Sequence, residues 1–534
     1  VNTGLAPSDR TIRLSHLLAP SIGVLAVVVR LAVAWRTHST GEDALITLRY
    51  AEHIAAGHGF VFNLGERVFG STTPLYTLLL AFFACLHLDA LAWGKAIDIL
   101  ADGGTCVLLA RLLARPEIGR PQAGLFAALL YALTSTPISI SIGGMETGLV
   151  TCVGLGMITA YVAGNSRLLY VLGAVLYLLR IDGLLLFGIL AAGMAVRLRR
   201  LSWQDLLCAL LIVLPWTLFA SLYFGSPIPV SLIAKMTAYG QGGRVSLTSF
   251  PPIAVNREIF SSQFVQGGFQ KALSLLALLG MGTILAAVRS GILQRKDGKN
   301  APCPSSSALG LLALPVGWML LYYGAMLTSR VPAFGWYFLP PWPLVMALAA
   351  LGADTLSARL LHSRPTFASS LRFFLFSVAL LACTAVLGLL HLPSIVREIA
   401  LRQEQDDALR LPIGLWLREN AQPHERVLLE PIGYIGYYSR LPVLDSIGLV
   451  SPEVLPSYRT LNPLADMIAR LHPEWLCLRD WEAAPLVPHA GTISNGQYLL
   501  AHTFRGSSAA TVFLLYHRRD LDPTPDKRWN KFLR

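Results

Sequence analysis

Residues 15–50 read SHLLAPSIGVLAVVVRLAVAWRTHSTGEDALITLRY. The run from 15 to 35 stays apolar for about 20 residues, enough to cross a hydrocarbon layer as a helix. It lacks an A-x-A end and more apolar runs follow it, so it reads as a retained span rather than a leader. The chain then turns polar and a second helical pattern begins. Ser39 stands three residues before Glu42 and Thr40 three before Asp43, both capping-box spacings, and Gly57 and Gly59 close the pattern. At about 100° per residue, Glu42, Ile46, Arg49 and His53 share one face, and Asp43, Thr47 and Tyr50 a neighbouring one. Two adjacent carboxylates are thus expected at the rim of a membrane span.

The rest of the chain agrees with a membrane setting. Its 534 residues are 54% hydrophobic and only 14% charged, with a mean hydropathy of +0.55, whereas soluble domains carry about 25% charged residues. This composition excludes a cytosolic enzyme, a disordered chain and an ordinary nucleic-acid binder, despite a net charge of +12. Spans are expected near 15–35, 92–112, 122–140, 147–163, 168–180, 183–197, 203–222, 270–288, 306–327, 337–354 and 371–392, about eleven in all. Residues 74–88 are also apolar, and loop charge decides their reading. With 74–88 lying on the surface and the N-terminus cytoplasmic, the cytoplasmic segments hold 16 Lys and Arg in 78 residues, and the opposite loops 8 in 113. If 74–88 spanned, every later loop would flip and the bias would invert, against the positive-inside rule.

An odd number of spans puts residues 393–534 outside the cytoplasm. There the composition turns polar, with a helix expected over 395–420 and strands near Arg426–Glu430, 474–478 and 511–516. The fold class is therefore an all-α polytopic membrane domain (1–392, with a first outer loop over 36–91) followed by an extracytoplasmic α/β domain (393–534). Five of the seven cysteines lie in apolar runs. Cys303 and Cys477 fall in polar segments on opposite sides, and no metal spacing or disulfide framework emerges.

Several short motifs lie on the outer side. They are EDALITLRYAE at 42–52, GHGFVFNLGERV at 57–68, Gly144-Met145-Glu146-Thr147, Arg180-Ile181-Asp182-Gly183, Phe224–Pro229 with Ala234-Lys235, and Gly335-Trp336-Tyr337-Phe338-Leu339-Pro340. Gly436–Arg440 and Asp445–Leu449 follow in the last domain. In this order the motifs resemble the bacterial GT-C glycosyltransferases, in particular the branch of the mycobacterial terminal arabinofuranosyltransferase and its uncharacterised relatives. Phe69, Val230 and Trp336 depart from residues common in that branch (Glu, Asn and Arg).

The resemblance implies a multi-pass protein of the bacterial cytoplasmic membrane. Its partners would be a polyprenyl-phosphate sugar donor, membrane lipid, and a glycan, lipid or protein acceptor on the outer face. Arabinofuranose or another pentose or hexose would be transferred. The chemistry needs a base for the acceptor hydroxyl and cations for the leaving phosphate. Asp43 is expected as the base, with Glu42 second. Arg49, Arg180, Lys235 and Arg330 are the outward cations, and Tyr50, His58, Glu146, Asp182 and Tyr337 are further expected substrate contacts.

Structural roles stand beside these. Either acid can cap a helix, Arg180 can pair with Asp182, Lys235 can snorkel, Arg330 can end a helix, Glu146 can cap the fourth span, and His58 can be loop. Lys95, Asp98 and Asp102 read as an internal charge pair, and Tyr322 and Trp342 as interfacial anchors. No cofactor is expected, and a divalent metal is left open. A polyprenyl-lipid flippase and a non-catalytic envelope scaffold are the alternatives. No paired broken helices or repeats of a transporter are visible in the sequence.

Overall fold

The computed structural model describes residues 9–240, 252–264, 268–296, 309–361, 367–486, 492–493, 497–506 and 512–519, and Cys303 lies outside them. Each expected apolar segment is helical. The helices are α1 (Asp9–Thr37), α2 (Glu42–Ala55), α3 (Pro74–Cys85), α4 (Ala90–Ala114), α5 (Pro121–Leu133), α6 (Ser135–Ser141), α7 (Thr147–Ala163), α8 (Ser166–Leu179), α9 (Gly183–Leu198) and α10 (Trp203–Phe224). There follow α11 (Val230–Gly240), α12 (Pro252–Phe264), α13 (Gly268–Lys296), α14 (Ala313–Thr328), α15 (Trp342–Leu361) and α16 (Phe367–Gln405).

Among the described residues, five helices are long and apolar enough to cross a membrane, or six if the bent pair α5 and α6 (56°) is one span. About eleven spans are expected from the sequence, and fewer helices pass this criterion. Helices α3, α7, α8 and α9 are shorter apolar helices, and α4 carries Lys95, Asp98, Asp102 and Arg111.

Local chemistry sets many helix ends. Asp89 and Asn165 cap α4 and α8, each side chain accepting a backbone N–H at 3.0 Å. Pro74 and Pro121 open α3 and α5, where the missing N–H has no helical partner to lose. Packing between helices relies on small residues. A Cβ on Gly280 would overlap the Leu348 carbonyl, and one on Gly352 the Leu276 carbonyl, so α13 and α15 touch backbone to backbone.

At the centre of the bundle, Arg30 pairs with Asp102 at 2.6 Å, and Tyr131 donates to the same carboxylate at 2.8 Å. Arg30 also donates to the carbonyls of Ala26 and Ala132. Both charged groups are fully buried, which is tolerable inside a bundle only because each is hydrogen-bonded. The expected internal charge pair is thus corrected. Asp102 turns to Arg30, while Lys95 and Asp98 each reach a different loop.

Helix α16 runs without a break through the expected domain boundary at 392/393. A single π turn (Asp406–Arg410) leads from it into α17 (Leu411–Asn420). The C-terminal sheet has strand order β2-β1-β3-β6-β5-β4. Its strands are β1 (Val427–Leu429), β2 (Val443–Asp445), β3 (Trp475–Arg479), β4 (Thr492–Ile493), β5 (Tyr498–Arg505) and β6 (Val512–Arg518). Strands β1, β2 and β3 are parallel, and the rest pair antiparallel. Helices α18 (Tyr434–Ser439) and α19 (Pro463–Leu471) connect the parallel strands.

Alternate residues feed opposite faces of this sheet. Leu428, Leu444, Leu476 and Leu478 pack with Met467 and Ile468 of α19. Val427, Leu429, Trp475 and Cys477 share a core with Tyr50, Phe60, Phe62 and Phe69 of the loop over 36–91. Cys477, read as lying in a polar segment, is therefore buried. This second core seats the last domain on the loop that carries the two acids.

Candidate active site

The link before α2 does not form the expected capping boxes. The N-cap is Gly41 and it receives no side-chain hydrogen bond. Glu42 is instead committed to the last domain. Its Oε1 accepts the backbone N–H groups of Gly433 (2.5 Å) and Tyr434 (3.1 Å) at the start of α18, and Oε2 meets Arg410 at 3.2 Å. Burial pushes its pKa up to about 7, against the pull of Arg410.

Asp43 differs. Among the described residues its carboxylate has no hydrogen bond and no ion pair, and it is partly exposed. Burial raises its pKa, while Lys235 and Arg180 act in the opposite direction.

Those two cations come from separate elements. Arg180 follows α8 and grips Asp182 through two bonds, Nε to Oδ1 (3.1 Å) and Nη2 to Oδ2 (2.9 Å). Its remaining nitrogen, Nη1, donates to Glu146 at 3.1 Å. Glu146 is the N-cap residue of α7, but its side chain caps nothing. Arg180 lies 5.0 Å from the ring centroid of Tyr337. Lys235, on α11, donates to the Tyr337 hydroxyl at 3.2 Å and faces the ring of Phe334 at 5.9 Å. Burial lowers the Lys235 pKa, but Tyr337 and Asp43 outweigh it and the net direction is up. Asp182 is drawn below the usual carboxylate range because Arg180 overrides its burial. Glu146 stays above that range because burial outweighs Arg180.

Asp43, Glu146, Arg180, Asp182, Lys235 and Tyr337 therefore form one cluster. Tyr322 joins it by donating to Asp182 at 3.2 Å. The anchor reading of Tyr322 and Trp342 is corrected, since both are buried. Tyr239, one helical turn beyond Lys235, also belongs here: its charge environment includes Asp43, Tyr337, Asp445 and Arg479. The i, i+4 spacing from Lys235 is the signal that could have found it.

Arg49 and Tyr50 have other tasks. Arg49 is buried, and its guanidinium donates to the carbonyls of Phe62 (2.9 Å), Gly436 (2.6 Å) and Leu441 (2.8 Å). Burial lowers its pKa to about 10. It fastens the outer loop to the last domain. Tyr50 is fully buried, donates to the Val68 carbonyl and accepts the Gly70 N–H. Asn63 does similar work: its amide pairs with both backbone groups of Val443 at 2.8 and 2.9 Å, as a neighbouring strand would. His58 and Arg330 are exposed. Of the three departures, Phe69 is buried and stacks on Phe224 at 4.9 Å. The Val230 N–H donates to the Phe69 carbonyl. Only Trp336, stacked on Phe334 at 4.7 Å, borders the cluster.

No group of three or more His, Cys, Asp or Glu among the described residues converges as a metal site would. Glu146 and Asp182 of the cluster are paired with Arg180 instead.

The two carboxylates of the GEDA corner are thus set apart by their partners. Glu42→Gln keeps an oxygen for the Gly433 and Tyr434 N–H groups and loses the ion pair with Arg410. Its expected cost is about 1 kcal/mol of stability, read as a small fall in the thermal midpoint, with any catalytic rate kept within about tenfold.

Comparison with known proteins follows these lines. A domain family of unknown function, DUF8728, matches residues 397–519. The terminal β-(1→2)-arabinofuranosyltransferase of Mycobacterium tuberculosis (strain ATCC 25618 / H37Rv) is 32% identical over 124 residues, 22% of this chain and 20% of that enzyme. The match therefore spans about a fifth of that relative's length. ArnT from Cupriavidus metallidurans bound to undecaprenyl phosphate covers 92% of this chain and 97% of its own, with a TM-score of 0.56 and 13% identity. The apo form of ArnT gives a TM-score of 0.56 at 12% identity. The superposition extends over nearly the whole length, and the chain has the ArnT-like GT-C fold.

Proposed function

We propose that this chain is an integral membrane glycosyltransferase that moves a sugar from a polyprenyl-phosphate donor to a glycan, lipid or protein acceptor on the outer face of the bacterial cytoplasmic membrane. Residues 393–534 lie outside the cytoplasm in this reading and cover the cluster. The observation that carries it is the Asp43 carboxylate, unpaired among the described residues and flanked electrostatically by Lys235 and Arg180. Of the two relatives named above, one is an arabinofuranosyltransferase and the other was crystallised with undecaprenyl phosphate. The second agrees with a lipid-carried donor.

The step is a displacement at the anomeric carbon. The acceptor hydroxyl oxygen forms the new bond, and its proton passes to Asp43. The bond from the anomeric carbon to the phosphate oxygen breaks, and its electrons leave with polyprenyl phosphate. Lys235 meets that charge. An ammonium has three donors, and Tyr337 takes one of them. Arg180, engaged with both Glu146 and Asp182, holds the charges behind Lys235 in place. Ordered charges of this kind cost no reorganisation during the reaction.

The test supplies purified protein in vesicles with radiolabelled polyprenyl-phosphate sugars and a membrane extract as acceptor. Label leaving the prenyl carrier for a new product is the expected result. Carrier crossing the bilayer with its sugar still attached would overturn the reading and favour a flippase.

A further inference from the structure

The first turns of helix α4 carry two side chains of opposite charge, three residues apart on one face, that do not pair with each other. The Lys95 ammonium donates to the Ser39 carbonyl (2.6 Å) and the Thr40 hydroxyl (3.0 Å). Both acceptors lie in the link just before Glu42 and Asp43. The Asp98 carboxylate accepts the N–H groups of Gly148 (3.0 Å) and Leu149 (2.8 Å), in the first turn of α7. That turn begins directly after Glu146, which holds Arg180. The two loops also touch, with the Gly41 N–H donating to the Gly143 carbonyl at 2.7 Å. Tyr76 donates to the Gly144 carbonyl at 3.0 Å.

We propose that Lys95 and Asp98 are positioning residues, which hold the loop bearing Asp43 and the turn bearing Glu146 at a set separation, and so set the Asp43 carboxylate against Arg180. The inference rests on the glycosyltransferase reading for its catalytic consequence, but not for its geometry.

The energetics favour a dedicated role. Asp98 is fully buried, and a buried carboxylate costs several kcal/mol unless other groups compensate. Two charge-assisted hydrogen bonds and the positive end of α7 do so. There is no room to vary the contact: a Cβ on Gly148 would stand 2.9 Å from the Asp98 carboxyl carbon. On the other side, a Cβ on Gly144 would stand 2.9 Å from Leu91 and 3.4 Å from Lys95. The segment from Gly144 to Gly148 is therefore fitted against α4 at both ends.

The experiment compares wild type, Lys95→Met, Lys95→Arg and Asp98→Asn. The Lys95 variants are informative even if Asp98→Asn fails to fold. Two readouts are taken: steady-state transfer, and amide hydrogen exchange of residues 39–46 and 147–150 in purified protein. A misplacement near 1 Å costs on the order of 10²-fold in rate. The expected result for Lys95→Met is a fall in kcat of about that size, donor KM within about threefold of wild type, and faster exchange in 39–46. Lys95→Arg, which still reaches both oxygens, restores kcat. Asp98→Asn speeds exchange at 147–150.

Wild-type kcat and unchanged exchange in Lys95→Met would overturn the proposal. So would a loss carried by KM, or one that arginine does not rescue, since these mark a substrate contact or a general loss of fold. If the wild-type protein transfers no sugar from any polyprenyl phosphate, the glycosyltransferase reading fails. The exchange data then decide the positioning role by themselves.

Discussion

Asp43→Asn should lower kcat by about 10²–10⁴-fold, the usual contribution of a positioned general base, and leave binding of undecaprenyl phosphate within about threefold of wild type. The amide has the size of the carboxylate and cannot take the acceptor proton. Little else depends on the side chain, because its carboxylate has no hydrogen-bond partner among the described residues. Lys235, which Asp43 helps to keep protonated, still holds Tyr337.

The pH dependence has a definite sign. A base works only when deprotonated, so kcat/KM falls as pH drops through the pKa of Asp43. Burial places that limb above the ordinary aspartate range, and Lys235 and Arg180 keep it from rising further. Glu42, Glu146 and Tyr239 are the other titratable groups around it. Removing the cation with Lys235→Met must move the acid limb to higher pH. A wild-type rate in Asp43→Asn would end this assignment. If Glu42→Gln then abolished transfer, the base would be Glu42, and its buried, pinned carboxyl would have to leave Gly433 to act.

Most helices of the membrane domain were legible because each is a largely apolar run, and such a run needs no partner to be recognised. The cluster was legible where its members bring ionisable groups to the ends of apolar helices, as Glu146, Arg180 and Asp182 do. Arg49 was not: its partners are the backbone carbonyls of residues 62, 436 and 441, and a backbone acceptor leaves no trace in residue identity. The same holds for Glu42, whose capping partner is a helix start 391 residues away rather than its own. Lys95 and Asp98 misled because an i, i+3 spacing of opposite charges reads as a pair, whereas two loops compete for them. Strand β2 escaped notice for another reason. It is three residues long, too short for alternation to show, and its pairing is completed partly by the side chain of Asn63. The boundary at 392/393 failed as an element end because the apolar run and the polar helix after it share one helical path, with Pro393 inside it.

Arg180→Met is expected to be the most destabilising single change in the cluster. The guanidinium serves two carboxylates at once. The side chains of Arg180 and Glu146 are 9% and 5% exposed, and that of Asp182 is 31% exposed. Taking away one partner of a buried pair leaves an uncompensated charge and costs about 3–5 kcal/mol, and here two carboxylates are left. The variant should show a markedly lower thermal midpoint at neutral pH, and part of the loss should return on acidification.

The sign follows from linkage. In the wild type, Asp182 has its pKa lowered by Arg180. Its contribution is present above the pKa of the unfolded chain and is lost as pH falls through the folded value. Without Arg180, burial acts on Glu146 and Asp182 unopposed and raises both. Stability is then greatest below the unfolded pKa and declines as pH rises through the folded values. The midpoint of the variant, followed from pH 7 to pH 4, should approach that of wild type at the acid end. A constant gap across this range would mean that the two acids are not charged against Arg180, and the ordering of charge around Asp43 would need another source. Arg180→Lys separates charge from geometry. A lysine keeps the cation but cannot offer a planar fork to Asp182 and a third nitrogen to Glu146 together. It should recover part of the stability and little of the rate, since Asp182 and Tyr322 would no longer be held in register beneath Tyr337.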